Sequence, residues 1–500
     1  MAMASLPAPT KGWNTRDALA AMKPDMAIVL DNWFPANERC ELRKGFTEHA
    51  TGLDGAVETL MEYVPASGTA KLFAASGDDI HDVTSAGAVG AAAVTGLNNA
   101  RWQHVNIGTS GGRFLFACNG ADTAQVYDGS SWANTSLSGP TTTALVWCNL
   151  HQRRVWLGTT DSLSAWYGGP NALTGGFTEF PLYGIARKGG YLMGMATWTR
   201  DGGAGMDDVA VFVTSEGEAI VYSGTDPSSA STWALIGVFQ IGRPLGRRFW
   251  VKAGADVILL LEDGFVPLSR VLAVDRAQVA AQSISDQISR TFAASARDYG
   301  GNFGWQPILY PKRNQLLVNV PISGVKAHQY VFNTLTGAPC RFTGINAASF
   351  SLKGDDLYFG AQSGGKVFLA DNGTDDNGSN IELDVMQAFS YFGSQALKHF
   401  RMARPVFSAS TSLDVALDFN VDFAQRAPTS LPSTIQGSSP VWDTALWDQA
   451  TWGGDDDIYA RWYSISGVGR SGSLRTRLSV RGLSAAMLST DVVYERGASL

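Results

Sequence analysis

The chain has 500 residues and a formal net charge of −7, with 17% charged and 45% hydrophobic residues. Apolar content of this size excludes a disordered chain, and the negative balance excludes a bulk cationic nucleic-acid binder. The length gives a soft expectation of about three domains, and 55 glycines with 11% aromatic residues point to an all-β chain with many tight turns.

Residues 1–10 lack a charged segment followed by an apolar one, so no signal peptide is expected and synthesis in the cytoplasm is predicted. The weakly apolar run at 86–97 is too short to span a bilayer. Cys40, Cys118, Cys148 and Cys340 have neither zinc-site nor disulfide-framework spacing and read as free thiols in a reducing compartment.

A strand–turn–strand unit then recurs. Its first strands begin at residues 72, 114, 155, 211, 257, 316 and 357. Examples are Leu72-Phe73-Ala74-Ala75 before Gly77-Asp78-Asp79, and Val211-Phe212-Val213-Thr214 before Ser215-Glu216-Gly217. Spacing of roughly 40–50 residues between hairpins that cannot bury a face alone is that of propeller blades. A run of hairpins in a sandwich is the alternative. Residues 274–297 break the β pattern: Val279, Ile284, Ile288 and Phe292 fall near helical spacing and predict one amphipathic helix between blades. That helix reads either as a subunit contact or as packing on its own propeller.

After about residue 380 the strands lengthen. Residues 381–388, 398–407, 412–423 and 474–494 alternate apolar and polar, the last pair turning around Gly482. Trp442-Asp443, Trp447-Asp448 and Trp452-Gly453 form a repeat that reads equally as an aromatic contact surface or a clamped loop. The expected fold is all-β: a β-propeller with a β-sandwich-like platform and one inserted helix. The expected division is a platform segment at 1–60, a propeller of about six or seven units at 61–380 and a C-terminal platform domain at 381–500.

Catalytic motifs are missing. The sequence has no nucleophile elbow, phosphate loop, H-E-x-x-H or dinucleotide fingerprint. His49, His81, His104, His151, His328 and His399 are scattered. Asp128 within Tyr127-Asp128-Gly129-Ser130-Ser131-Trp132, and Asp226 in 226–233, resemble the Asp-box turns of sialidase propellers, in which the Asp holds a turn and is not catalytic. Asp371-Asn372-Gly373-Thr374-Asp375-Asp376-Asn377-Gly378 spaces oxygens like a calcium loop, but Gly373 occupies a ligand position and no Glu closes it. An Asn-Gly turn is therefore expected there. Asp455-Asp456-Asp457 reads as a solvated turn. Arg243, Arg247, Arg248 and Lys252, then Arg461, Arg470, Arg475, Arg477 and Arg481, are interleaved with apolar strands and form no run. No catalytic residue, cofactor site or metal site is therefore expected.

Several short stretches resemble the tail nozzle (tail tubular or hub) proteins of short-tailed bacteriophages and related prophages. They are Gly12-Trp13-Asn14-Thr15-Arg16, Met22-Lys23-Pro24-Asp25-Met26-Ala27, Leu30-Asp31-Asn32-Trp33-Phe34-Pro35 and Glu41-Leu42-Arg43-Lys44-Gly45-Phe46. Asn333-Thr334-Leu335-Thr336-Gly337-Ala338, Cys340-Arg341-Phe342-Thr343-Gly344 and residues 366–378 are similar too. So are Gly467-Val468-Gly469-Arg470-Ser471-Gly472-Ser473 and Val492-Val493-Tyr494-Glu495-Arg496-Gly497. The resemblance implies a non-enzymatic virion protein: a homo-oligomer, as a hexameric ring below the portal and tail adaptor. Tail fibres or spikes would attach nearby, and viral DNA would pass through the lumen without sequence-specific binding. A net negative chain suits a tube that DNA must slide through. The alternatives are a carbohydrate-active or carbohydrate-binding propeller, sialidase- or lectin-like, marked by a convergent Arg/Tyr/Glu or paired-carboxylate pocket on the propeller axis, and a different phage part such as a host-recognition or baseplate-like protein.

Overall fold

The computed structural model describes residues 1–201, 206–271, 282–429, 433–436 and 457–497. Nearly all regular structure is β, as the glycine-rich, weakly charged composition requires. Each repeat unit supplies the second and third strands of a small antiparallel sheet, and the strand before it supplies the first. The first sheet is Val57–Tyr63, Lys71–Ser76 and Asp79–Asp82. Gln103–Thr109, Leu145–His151, Leu192–Asp201, Trp250–Ala253, Gln306–Tyr310 and Ala347–Lys353 open the following sheets. These opening strands lie side by side around a common axis, and Ala347–Lys353 returns to pack on Val57–Tyr63. The apolar faces are thus buried between neighbouring sheets, as in Trp156 stacking on Trp233 between the third and fourth.

The seventh sheet is completed from the N-terminus. Phe46–Thr51 pairs antiparallel with Lys366–Ala370, and Phe46 packs edge-on against Phe359 and Phe368. Residues 46–51 lie in the stretch expected to serve the platform, but the seventh sheet needs a fourth strand and this one supplies it, with Gly87–Ala88 beyond it.

The platform consists of two sheets. One continues directly from the sixth propeller sheet: Pro339–Phe342 meets Ala27–Asp31 in parallel, and Ile381–Gln387, Gly472–Arg481 and Ala416–Val421 follow. The other contains Ala2–Pro7, Ala485–Arg496, Lys398–Ala409 and Tyr463–Gly469, with Trp33–Pro35, Cys40–Leu42 and Asp457–Ala460 at its edges. Leu6, Phe400, Phe419, Leu474, Val492 and Tyr494 form the core between them.

Two further expectations change. Within 274–297 the described helix is Ser289–Tyr299, preceded by a short turn at Asp286–Ile288; residues 272–281 lie outside the described residues. Ser283 to Ser285 is not helical because it covers the open edge of the three-stranded fifth sheet. Ile284 donates its N–H to the Phe265 carbonyl at 2.9 Å, and Phe265 N–H donates to Ser285 Oγ at 2.9 Å. In 412–423 the strand is only Ala416–Val421, and its alternation fails at Ala416 and at Asn420. The Asn420 side chain is buried because it bonds both the N–H and the carbonyl of Arg426.

Candidate functional site

Two places gather polar chemistry: the joint between propeller and platform, and the propeller axis. The joint is built from motifs far apart in sequence. Arg43 is 1% exposed at its side chain, and its Nη1 and Nη2 donate to Asp376 at 2.8 and 2.6 Å. Its Nε donates to Asn32 Oδ1 at 2.8 Å, and further bonds reach the carbonyls of Thr343 (2.8 Å) and Lys44 (3.0 Å). Asn32, in the left-handed region at φ 61°, donates to Thr343 Oγ1 and the Glu382 carbonyl and accepts from Thr343 N–H. Arg341 pairs with Asp31 through two bonds, 2.8 and 2.6 Å, and lies over the Trp13 ring. On neighbouring strands Arg475 pairs with Asp384 at 2.9 and 2.7 Å, with Arg477 at 3.6 Å. Gly45 packs so closely that a Cβ would sit 1.7 Å from the Asp375 carbonyl oxygen, and Trp13 N–H donates to the Pro339 carbonyl. Charges are spent on one another throughout, which is the requirement for burying them.

The 371–378 loop belongs to this joint. Asp376 faces Arg43, and Asp371 receives Arg313 Nε at 3.0 Å and the Tyr310 hydroxyl at 3.2 Å. Asp375 caps the Gly378 N–H, and Asn377 Oδ1 accepts from Glu48 N–H. The side-chain oxygens thus diverge onto protein donors. No cluster of three potential metal ligands occurs among the described residues.

The propeller axis carries a second constellation. Leu60, Gln103, Trp147, Gly194, Trp250 and Gln306, one from each of six opening strands, line a cavity of about 270 Å³. A wider vestibule of about 610 Å³ adjoins it and shares Gln103, Arg247 and Arg248. Arg248 closes the waist. Its Nη2 donates to Thr59 Oγ1 (2.7 Å) and to the carbonyls of Glu58 (3.0 Å) and Trp102 (3.3 Å). Burial pulls its pKa down to about 10. Burial and the charge of Arg248 hold the adjacent His104 imidazole at about 4, hence neutral. Arg101 donates to Glu58 at 3.1 Å, and one ring, Phe303, faces the guanidinium groups of both Arg101 and Arg248 at 4.6 and 5.2 Å. Glu58 is the one carboxylate among the described residues lining the vestibule.

The other candidates separate. Asp128 holds its turn, accepting from Ser130 N–H, Ser130 Oγ and Ser131 N–H, each at 2.7 Å, and these bonds pull its carboxyl down to about 2. Asp226 does the same through Ser228. Arg243 pairs with Glu216, Lys252 reaches Thr199, Arg461 lies over Tyr463, Arg481 donates to the Gly378 carbonyl, and Asp422 accepts the Arg470 N–H. The nine basic residues therefore do not share one face. His49 and His81 bond to carbonyls of Val83 and Gly90, while His151 and His328 are buried and His399 lies on Lys398–Ala409. Among the described residues the cysteines are free thiols, and no helix is long and apolar enough to cross a membrane. Residues 437–456, with the Trp-Asp repeat and Asp455-Asp456, lie outside the described residues.

The sequence flagged Arg247 and Arg248 but neither Glu58, Arg101 nor Phe303. The available signal was Gly300-Gly301-Asn302-Phe303-Gly304 just beyond the helix, a glycine-rich turn that brings an aromatic to the axis.

No family model matches this chain, and no curated protein matches it. Among solved structures, BBS1N in complex with ARL6DN is similar at 10% identity and a TM-score of 0.41, over 66% of this chain and 97% of that one. Chaetomium thermophilum Raptor gives 10% identity and 0.40 over 67% and 29% of the two chains. The exo-beta-1,3-galactanase from Phanerochaete chrysosporium gives 10% and 0.26 over 78% and 95%.

Proposed function

We propose that this chain is a structural virion protein, the tail nozzle or hub of a short-tailed phage. In this reading it forms a hexameric ring that extends the DNA channel below the portal and adaptor and gates genome release. The observation that carries the proposal is the joint. Stretches that resemble the nozzle family, at 12–16, 30–35, 41–46, 333–338, 340–344 and 366–378, meet in one network at the joint. Arg43 reaches Asn32, Thr343 and Asp376 at once. Such a network fixes the propeller on its platform, the mechanical task of a tail component, and leaves those side chains no free chemistry. Glycoside hydrolysis by paired carboxylates needs two carboxyl groups about 5–9.5 Å apart, and the described vestibule lining offers Glu58 alone.

The test is quantitative mass spectrometry of purified particles from the source cells, counting this chain against the portal protein. A fixed ratio near half the portal copy number supports the sixfold tail component. Absence from particles overturns it.

A further inference from the structure

The axial vestibule's lining holds more positive charge than its own carboxylate neutralises. Its described lining contains Arg101, Arg247 and Arg248 against the single carboxylate Glu58, in a chain whose net charge is −7. Arg101 meets Glu58 through its Nε and stays largely exposed, while Arg248 is spent on carbonyls and Thr59. Arg247 is left over. It packs 5.6 Å from the Tyr191 ring centroid, and its Nη1 is buried without a hydrogen-bond partner among the described residues. Arg247 is half-buried as a residue, and a buried guanidinium nitrogen without an acceptor is costly in a folded protein. Burial also lowers its proton affinity, by more than the nearby Tyr191 and Asp161 raise it.

The surroundings are those of a binding site. The vestibule's volume of about 610 Å³ falls in the range of roughly 300–1,000 Å³ typical of small-ligand clefts. Asn99, Asn119, Asn302 and Gln362 bring amide groups to its wall. Arg248 is locked by its bonds to the first and second sheets and by the Phe303 ring, so the floor is rigid before anything binds. Guanidinium groups present paired donors that match the two oxygens of a carboxylate or phosphate.

We propose that the vestibule on the propeller axis binds a small oxyanion-headed ligand, of phosphate or carboxylate chemistry. Arg247 and Arg101 are its charge-pairing residues, and Arg248 is the fixed floor. The site stands independently of the tail assignment.

The test is titration of the full-length chain in phosphate-free, low-salt buffer with inorganic phosphate, with glucuronate, and with glucose as the uncharged control. Heat is the readout, supported by fluorescence from Trp147, Trp250 and Trp305 beside the cavities. One site per chain for phosphate or glucuronate is expected, with none for glucose, and the probe that binds identifies the head group. Arg247→Gln and Arg101→Gln are each expected to weaken binding at least roughly tenfold, while Arg243→Gln, paired with Glu216 elsewhere, leaves it unchanged. Arg101 is 55% exposed at its side chain, so its variant decides the matter if Arg247→Gln does not fold. No saturable binding of either anion up to roughly 10 mM, or binding indifferent to Arg101→Gln, overturns the proposal.

Discussion

Replacing Arg43 by methionine removes a side chain that ties four segments of the joint together. Asp376, 8% exposed, would be left as a buried carboxylate without a cation. Losing one member of such a pair costs about 3–5 kcal/mol. Asp376→Leu strands Arg43 in the same way and costs a similar amount. The double variant has no stranded charge. What remains unmet is the Thr343 carbonyl and part of Asn32, each worth about 1–3 kcal/mol. The double variant should therefore lose about 2–6 kcal/mol, against about 6–10 kcal/mol for the sum of the singles. The assay is urea unfolding of the four proteins followed by tryptophan fluorescence, arranged as a double-mutant cycle. A coupling of about 2 kcal/mol or more is expected. A coupling below about 0.5 kcal/mol, the level of independent sites, would refute the view that these residues form one unit.

Two further outcomes follow from the buried histidines and from the strand that closes the seventh sheet. Burial, reinforced by the charge of Arg341, holds the His328 imidazole down to about 3, and burial holds His151 at about 4. Unfolded histidines titrate near 6.5, so below that pH the unfolded chain takes up protons that the folded one refuses. Stability is then full above about pH 6.5 and falls toward pH 4, by up to about 1.4 kcal/mol per pH unit for each histidine. His328→Phe should flatten the fall in urea midpoint between pH 6.5 and 4.5, and an unchanged slope would contradict the argument. Phe46→Ala removes a ring wedged against Phe359 and Phe368, at 5.1 and 5.0 Å between centroids. A loss of about 3–5 kcal/mol is expected, with faster hydrogen exchange at residues 366–370, whose strand pairs with 46–51; exchange unaltered there would show that ring closure does not depend on this contact.

Local patterns in the sequence determined the all-β class, the seven recurring hairpins and the Asp128 and Asp226 turns. Each of these rests on interactions within a few residues: alternation along a strand, a glycine at a tight turn, or an Asp oxygen reaching two or three residues ahead. What the tertiary structure alone decided is long-range. Arg43 and Asp376 are 333 positions apart, and Asn32 and Thr343 are 311 apart, yet they share one network. Phe46–Thr51 closes a sheet begun near residue 347. No periodicity encodes such pairings, because they follow from where a closed ring of sheets returns the chain. The axial vestibule is the same case: Glu58, Arg101, Arg248 and Phe303 belong to different turns of the ring, and only its closure brings their charges to one axis.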